Sequence, residues 1–295
     1  MLNLHLVRIF LTVVEQGSFT RAAGVLNISQ SAASRDVQEL ERQLGLALVE
    51  RRSRGVVPTE AGEHLTTYAR RIFALERLAE DTLSELRGLQ QGKLAIGASS
   101  TIGIYMLPPL LGAYRRRYPG IELFLDIGNT QQIAEHLLEH RLDVAYVEGP
   151  VELAGLELAP WHEDELVVIA APDHPLAWRP QIAAHELSAT PFVLREAGSG
   201  TREVMEQALA ERGITVAVVM ELGSTEAVKQ AVAAGLGISI VSRFTIQLEL
   251  ALQRLVVLPV SDLTIRRRLT RIQIADRPVS KALEAWLQVA RGITQ

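Results

Sequence analysis

The decapeptide SQSAASRDVQ (Ser29–Gln38) is polar and short-chained in a chain that is 48% hydrophobic over 295 residues, yet it runs straight into ELERQLG (Glu39–Gly45), which carries a clear apolar rhythm. Ser29 can cap a helix that runs to Gly45. At about 100° per residue that helix divides in two. Ala33, Val37, Leu40 and Leu44 share one face, and only this face is needed for folding. Gln30, Ser31, Ser34, Arg35 and Gln38 share the other. They are the side-chain types that read base edges: Arg forks to guanine, Gln pairs with adenine, and Ser suits either.

Upstream, Leu6, Phe10 and Val13, with Ile9 and Val14 beside them, recur at helical spacing, and Gly17 ends that helix. Ser18 suits an N-cap for a second short helix, FTRAAGVL. Two short helices joined by the tight turn NIS, the second presenting the polar stripe, make a helix-turn-helix. Downstream, RRSRGVVPTEAG (Arg51–Gly62) places Arg51, Arg52 and Arg54 around Gly55 in an expected hairpin, a wing able to reach phosphates or the minor groove. Taken singly, the stripe reads as a solvated face and the arginines as an ordinary loop. Their order along the chain favours DNA.

The charge distribution agrees. Net charge is −4, but residues 1–59 hold seven Arg against five acids, a local surplus of two that leaves the remainder near −6. The chain has no cysteine, which excludes disulfides, thiolate metal sites and cysteine nucleophiles. No leader pattern precedes the first helix, and the longest apolar run, LVVIAAP from Leu166, is far below the roughly 20 residues of a membrane span. A cytoplasmic protein with no membrane partner is expected.

The stretch FLTVVEQGSFTRAAGVLNISQSAASRDVQELERQLGLALVERRSRGVVPTEAG resembles the DNA-binding domain of the LysR-type transcriptional regulators over about sixty residues without a gap. GSFTRAA, SQSA-SR, LE-QLG and PTEAG carry the resemblance. Val49 stands where the family usually has an aromatic and Ala33 where a β-branched residue is common; both are packing changes. The resemblance implies that Gln30, Ser31, Ser34 and Arg35 approach bases, and that Thr20, Ser29 and Arg52 approach phosphates or the groove edge.

After Thr59, an expected N-cap, Leu65, Tyr68, Ile72, Leu75, Ala79, Thr82, Leu86 and Leu89 alternate in steps of three and four, a heptad seam along a helix of roughly 45 Å. Pairing with a second copy through Leu65, Tyr68, Ile72, Leu75 and Leu86 is the simplest way to cover it. The alternative is packing along the chain's own C-terminal body. GLQQG then reads as a hinge. In the resembling family this segment is the dimerising linker helix.

From Lys93 onward strands alternate with helices, which predicts α/β units and largely parallel sheets. Four strands lead into hydroxyl-rich loops: Ser99-Ser100-Thr101, Gly128-Asn129-Thr130, Gly198-Ser199-Gly200-Thr201 and Gly223-Ser224-Thr225. Each precedes a helix, whose free N–H groups and positive dipole end suit a small anion or carboxylate. Read singly, each loop is only an N-cap; the four together predict a ligand cleft. The family resemblance makes this region an effector-binding domain similar to type II periplasmic binding proteins. It implies that Ser99, Thr101, Thr130 and Thr201 face the cleft, with Glu148 near the crossover. REAGSGTR and ELGSTEAVKQAVAAGLGISIVSR resemble the branch that includes regulators of sulfur assimilation and carbon fixation.

Other motifs are set aside. His136-Leu137-Leu138-Glu139-His140 fits H-x-x-E-H, but Ile133, Leu137, Leu138 and Leu142 look like the buried side of a crossover helix, so no metal is expected. GSGTRE lacks the ending of a P-loop. Arg115–Arg117 and Arg266–Arg268 read as a helix end and a strand edge facing water.

The expected architecture is an N-terminal all-α winged helix-turn-helix (1–59), a linker/dimerisation helix and hinge (60–91), and a C-terminal α/β two-lobed effector domain (92–295). Lobe I takes about 92–162 and 267–295, lobe II about 163–266. The expected function is a LysR-type regulator that binds promoter half-sites of double-stranded DNA as a homo-oligomer. Family habit favours a homotetramer, with RNA polymerase as a further partner. A small effector, an anion or carboxylate, is expected at Ser99, Ser100, Thr101, Thr130, Glu148, Ser199, Gly200, Thr201 and Thr225. No cofactor and no catalytic residue are expected. The competing reading is a small-molecule binding protein whose N-terminal helices only mediate assembly.

Overall fold

Local side-chain caps position the first three helices. In the computed structural model, which describes residues 2–52, 55–85, 92–151 and 153–293, α1 spans Leu4–Gln16, α2 Phe19–Leu26 and α3 Gln30–Leu44. Asn3 Oδ1 accepts the His5 N–H at 3.0 Å, Ser18 Oγ the Arg21 N–H at 3.4 Å, and Ser29 Oγ the Ala32 N–H at 3.1 Å. Each helix ends on a left-handed residue, Gly17, Asn27 or Gly45, the conformation that turns the chain and satisfies the last carbonyls. Phe10, Val13, Ala22, Ala33, Val37 and Leu40 close one core between them. Leu44, expected on that face, is exposed at the end of α3.

Strands β1 (Val49–Arg52) and β2 (Gly55–Pro58) form the antiparallel wing, with Arg52 opposite Gly55. The Val56 N–H donates to the Gly17 carbonyl at 2.9 Å. At Gly55, φ is +132° and a Cβ would lie 2.6 Å from that same carbonyl oxygen, so glycine is required where the wing docks on the end of α1.

Thr59 Oγ1 accepts the Gly62 N–H at 3.1 Å and starts α4, Glu60–Glu85, about 39 Å long. Its inward face is Thr66, Ala69 and Phe73, all buried, and Arg8 stacks on the Phe73 ring, 4.1 Å from its centroid. The expected heptad seam is therefore split. Leu65 and Ile72 pack partly against the N-terminal core, while Tyr68 and Leu75 are exposed. Leu86, Leu89, Arg54 and the side chain of Thr82 lie outside the described residues. Contacts divide the chain into Met1–Glu80 and Asp81–Gln295.

In the second unit, β3 (Gly92–Ser99), α5 (Leu107–Arg117), β4 (Ile121–Gly128), α6 (Thr130–Leu138) and β5 (Val144–Glu148) make parallel crossovers, with β3 between β4 and β5. A 15-residue strand, β6 (Leu156–Ala170), then leaves this half. It is followed by β7 (Pro191–Arg195), α7 (Gly200–Ala210), β8 (Ala217–Leu222), α8 (Thr225–Ala233), β9 (Ser239–Ser242), α9 (Gln247–Ala251) and β10 (Val256–Val257). The last strand, β11 (Ile265–Ile274), returns to the first half and leads to α10 (Lys281–Ala290). Strand β11 pairs with β6 along its length and with β5 from Leu269 to Ile272.

The expectation of largely parallel sheets needs correction. Strands β3–β4, β3–β5 and β7–β8 are parallel, but every pairing of β6 and β11 is antiparallel, because these two strands run in opposite senses between the halves. The expectation for the second Arg triplet is overturned as well. Arg266 and Arg268 are exposed, but Arg267 shares the buried face of β11 with Ile265 and Leu269.

Truncation Phe73→Ala removes the aromatic that seats α4 on the N-terminal core. It should cost about 3–5 kcal/mol in urea denaturation; an unchanged midpoint would detach α4 from that core.

Candidate functional site

Two sets of side chains stand out, one in each unit. In the first, Thr20, Ser29, Gln30, Ser31, Arg35, Gln38, Arg51 and Arg52 are exposed and Ser34 is half-buried. The polar stripe of α3 is therefore at the surface, as the wheel requires. The wing adds a contact that spacing did not suggest. Arg51 Nη2 donates to Ser34 Oγ at 2.6 Å, and the guanidinium lies 4.7 Å from the centroid of the Phe19 ring. Arg51 thus ties β1 to the exposed face of α3 and to the start of α2, instead of extending freely toward a groove. Arg52 pairs with Glu50 at 3.0 Å.

In the second unit the hydroxyls of the expected cleft do converge, but on a protein carboxylate. Glu148, at the end of β5, is buried. Its Oε1 accepts from Ser99 Oγ at 2.8 Å and from the Thr101 N–H at 2.9 Å, and its Oε2 accepts from Thr201 Oγ1 at 2.7 Å and Arg267 Nη1 at 2.7 Å. Thr130 Oγ1 donates to the Glu148 carbonyl at 2.6 Å. Capping falls to other residues: Asn129 caps α6 and Ser224 caps α8. This leaves the hydroxyls of Thr130 and Thr201 for Glu148. Ser100 bonds the Gly128 carbonyl at 3.3 Å and Thr225 accepts from Arg195 Nη1 at 2.7 Å, so neither belongs to the Glu148 cluster. Ser199 is buried and caps α7 without a side-chain bond.

The two halves press directly on one another here. A Cβ on Gly200 would lie 1.7 Å from the Glu148 carbonyl oxygen and 2.6 Å from Thr130 Oγ1. Glycine is what lets the first turn of α7 reach β5. A neighbouring cavity of about 480 Å³ has Thr130 in its wall, but Glu135 and Glu203 line it too, and these carboxylates disfavour an anion there.

Arg267 completes the cluster and was not expected. Beyond Glu148 it donates through Nε to Asp164 Oδ2 at 2.7 Å, and Asp164 accepts from Ser242 Oγ at 2.8 Å. The alternation Ile265, Arg267, Leu269 is the signal that could have found it. One guanidinium serves two carboxylates, and they respond differently. Burial works against the charge on Glu148, but Arg267, Thr201, Ser99 and Thr101 together outweigh it and hold this carboxyl below the usual carboxylate range. Burial dominates at Asp164 and holds that carboxyl above its usual range despite Arg267 and Ser242.

A second tie crosses between the halves. Lys229 of α8 is buried and donates to Tyr105 Oη at 3.0 Å, the Thr245 carbonyl at 2.8 Å and Glu249 Oε1 at 2.7 Å. The H-x-x-E-H residues do not assemble: α6 ends at Leu138, His140 is left-handed, and His136 Nδ1 bonds Asp126 at 2.7 Å. Among the described residues no group of His, Cys, Asp and Glu could hold a metal, and no helix is long and apolar enough to cross a membrane.

Replacement Arg267→Ala should cost about 3–5 kcal/mol near neutral pH, because two buried carboxylates lose their cation. Glu148, with a lowered folded pKa, contributes stability above the unfolded value of about 4.3 and loses it as pH falls through the folded value. The difference between variant and wild type should therefore shrink in acid. A pH-independent difference in denaturation midpoints would show that packing, not charge, carries the effect.

Known proteins share both units. Residues 4–63 match the family "Bacterial regulatory helix-turn-helix protein, lysR family", and residues 87–294 match "LysR substrate binding domain". The RuBisCO operon transcriptional regulator of Allochromatium vinosum is 39% identical over 284 residues, covering 96% of this chain and 94% of that protein. The regulatory domain of Synechocystis CcmR, solved in complex with 2-PG, is 36% identical with a TM-score of 0.66, over 70% of this chain and 98% of that one. Full-length OxyR from Pseudomonas aeruginosa is 25% identical with a TM-score of 0.78, over 99% and 95% of the two chains. With a DNA-binding module and a substrate-binding module of one family covering nearly all of its length, the chain belongs to the LysR-type transcriptional regulators.

Proposed function

We propose that this regulator reads promoter half-sites as a homo-oligomer through the exposed stripe of α3, and that a small anion in the Glu148 cluster sets its state. The DNA reading rests on Gln30, Ser31, Arg35 and Gln38, which are exposed on one face of a helix whose other face is buried in the core through Ala33, Val37 and Leu40. Self-association is supported by the apolar surface that the single chain leaves open: Tyr68 and Leu75 on α4, Phe124 on the edge strand β4, and Val218 and Val219 on β8. A dimer matches two recognition helices to two half-sites.

The effector reading is carried by one observation: a carboxylate already sits among Ser99, Thr101, Thr201 and Arg267. These donors suit a carboxylate or an oxyanion of similar size. Two anions cannot share them, so an incoming one must displace Glu148 or meet it protonated. Because Gly200 and Thr201 of α7 rest on Glu148, the exchange would shift one half of the domain against the other. A ligand that prefers the shifted arrangement by about 1–3 kcal/mol would couple the cleft to assembly. The related CcmR domain, solved with 2-PG, supports ligand uptake by a domain of this build.

For DNA, Arg35→Ala should reduce discrimination between operator and random duplex by about 1–3 kcal/mol while wild type shows steep salt dependence. Equal loss on both sequences would remove Arg35 from base reading. For the cleft, calorimetric titration of the full chain with sulfate, phosphate and small carboxylates should find one that binds. Glu148→Gln should then tighten it by removing the competing charge. Weaker binding in Glu148→Gln would overturn the displacement reading.

A further inference from the structure

A separate basic groove runs along the free edge of β11. Strand β5 pairs with β11 only from Leu269 onward, whereas residues 265–268 pair with β6 alone. The other edge of this stretch borders a cavity of about 440 Å³ between β11 and α7, a volume within the range of small-metabolite sites. Arg266 and Arg268 line it from the strand, and Arg212 lines it from the end of α7.

Arg266 and Arg268 are exposed, and neither makes an ion pair among the described residues. Arg212 is held by two carbonyls, those of Asp262 at 3.2 Å and Ala208 at 3.0 Å, which orient its guanidinium without neutralising it. The acids lining the groove are fewer than the arginines. Glu165, opposite Arg266, pairs with Arg243 at 2.6 Å. Glu211 lines the groove and accepts from the neutral Gln207 amide at 3.1 Å, so it keeps its charge. Glu163 lies opposite Arg268 across the ladder, outside the groove lining. Three guanidinium groups converge on one groove with Gln207 beside them, next to a strand edge where alternate backbone N–H groups lack a strand partner.

We propose that this groove is a second anion site, distinct from the Glu148 cluster, that takes a phosphorylated small metabolite. Planar guanidinium forks match phosphate oxygens in pairs, and Arg212, Arg266 and Arg268 against the lining carboxylate of Glu211 leave a positive surplus that suits a doubly charged anion. The groove and the cluster meet at Arg267. Its guanidinium bonds Glu148 and Thr201 on one side, while its flanking residues carry the groove. Occupancy of the groove therefore bears on the strand that holds the Glu148 cluster in place.

The test is calorimetric titration of the full chain with inorganic pyrophosphate at fixed ionic strength, with inorganic phosphate as the smaller probe. Pyrophosphate should bind wild type, and Arg266→Gln with Arg268→Gln should weaken it by about tenfold or more. Both positions are exposed, so melting of the double variant should match wild type; Arg212→Gln gives an independent reading should the double variant fail to fold. Thr201→Val, which alters the Glu148 cluster and removes no groove side chain, should change pyrophosphate affinity by far less than the arginine pair does. Absence of binding to wild type, an unchanged Kd in the arginine variants, or loss in Thr201→Val alone would each overturn the groove. Loss of duplex DNA binding with pyrophosphate affinity unchanged would assign the arginines to nucleic acid and overturn it too.

Discussion

The two halves of the C-terminal unit are held in register by one buried cation. Arg267 lies on a strand that crosses between them, and it reaches Glu148 at the end of β5, Thr201 at the start of α7 and Asp164 on β6. Four elements from both halves thus share one guanidinium. Its net worth to stability is modest, because desolvating three ionisable groups offsets most of their attraction. Its worth to geometry is larger. An apolar cluster in the same place would pack in several ways, whereas a forked donor between two carboxylates accepts few arrangements. Removing Arg267 leaves two buried carboxylates without a cation, whereas removing either carboxylate leaves Arg267 paired to the other, so the guanidinium is the member on which the cluster depends.

The hydroxyls around Glu148 follow from a division of labour at helix starts. A residue that caps its own helix has spent its oxygen. In α6 and α8 that residue is Asn129 or Ser224, one position before the threonine. The threonine behind it then points away from the helix end, toward whatever faces the turn. At α6 and α7 what faces it is Glu148; at α8 it is Arg195. Helix N-termini with uncommitted hydroxyls form an anion site, and a resident carboxylate fills it in this state. On the proposed reading, an anion entering there must displace Glu148 or meet it protonated, which is a stricter requirement than polarity alone.

Much of this was legible in the sequence, for identifiable reasons. The first three helices announce themselves through caps and stops, Ser18 and Ser29 against Gly17 and Gly45, while the caps Asn3 and Asn27 emerge from the structure, and all of these are local interactions. Ser99, Thr101, Thr130 and Thr201 were grouped because each follows a strand. The crossing strands were legible only in part. The first half of β6, LELAPWHEDE, is exposed or half-buried at every position but Asp164 and contains Pro160, beside an irregularity where Leu269 pairs with His162 and Thr270 with Pro160. Such a stretch reads as loop because proline and bulges interrupt the period of two. The start of β11 was read as a strand edge, and Arg267 was counted with Arg266 and Arg268 as facing water. A strand's alternation turns Arg267 inward only once one face of the strand is known to be covered.

The wing shows the same dependence of one element on another at the proposed DNA surface. Arg51 spends its charge on Ser34 Oγ and the face of Phe19. These contacts are local to the unit and fix the angle between β1 and α3. On the proposed docking, Arg51 cannot carry its Nη2 to a phosphate without releasing Ser34, whereas Ser34, which accepts from Arg51, keeps its own proton to donate. On the exposed stripe, Gln30, Arg35 and Gln38 make no side-chain hydrogen bond among the described residues, Ser31 shares a hydrogen bond with Ser29 at 3.0 Å, and the Arg51–Ser34 pair holds the wing against the helix that presents them. A change at either member would alter recognition at every position at once, whereas a change at Arg35 would alter it at one.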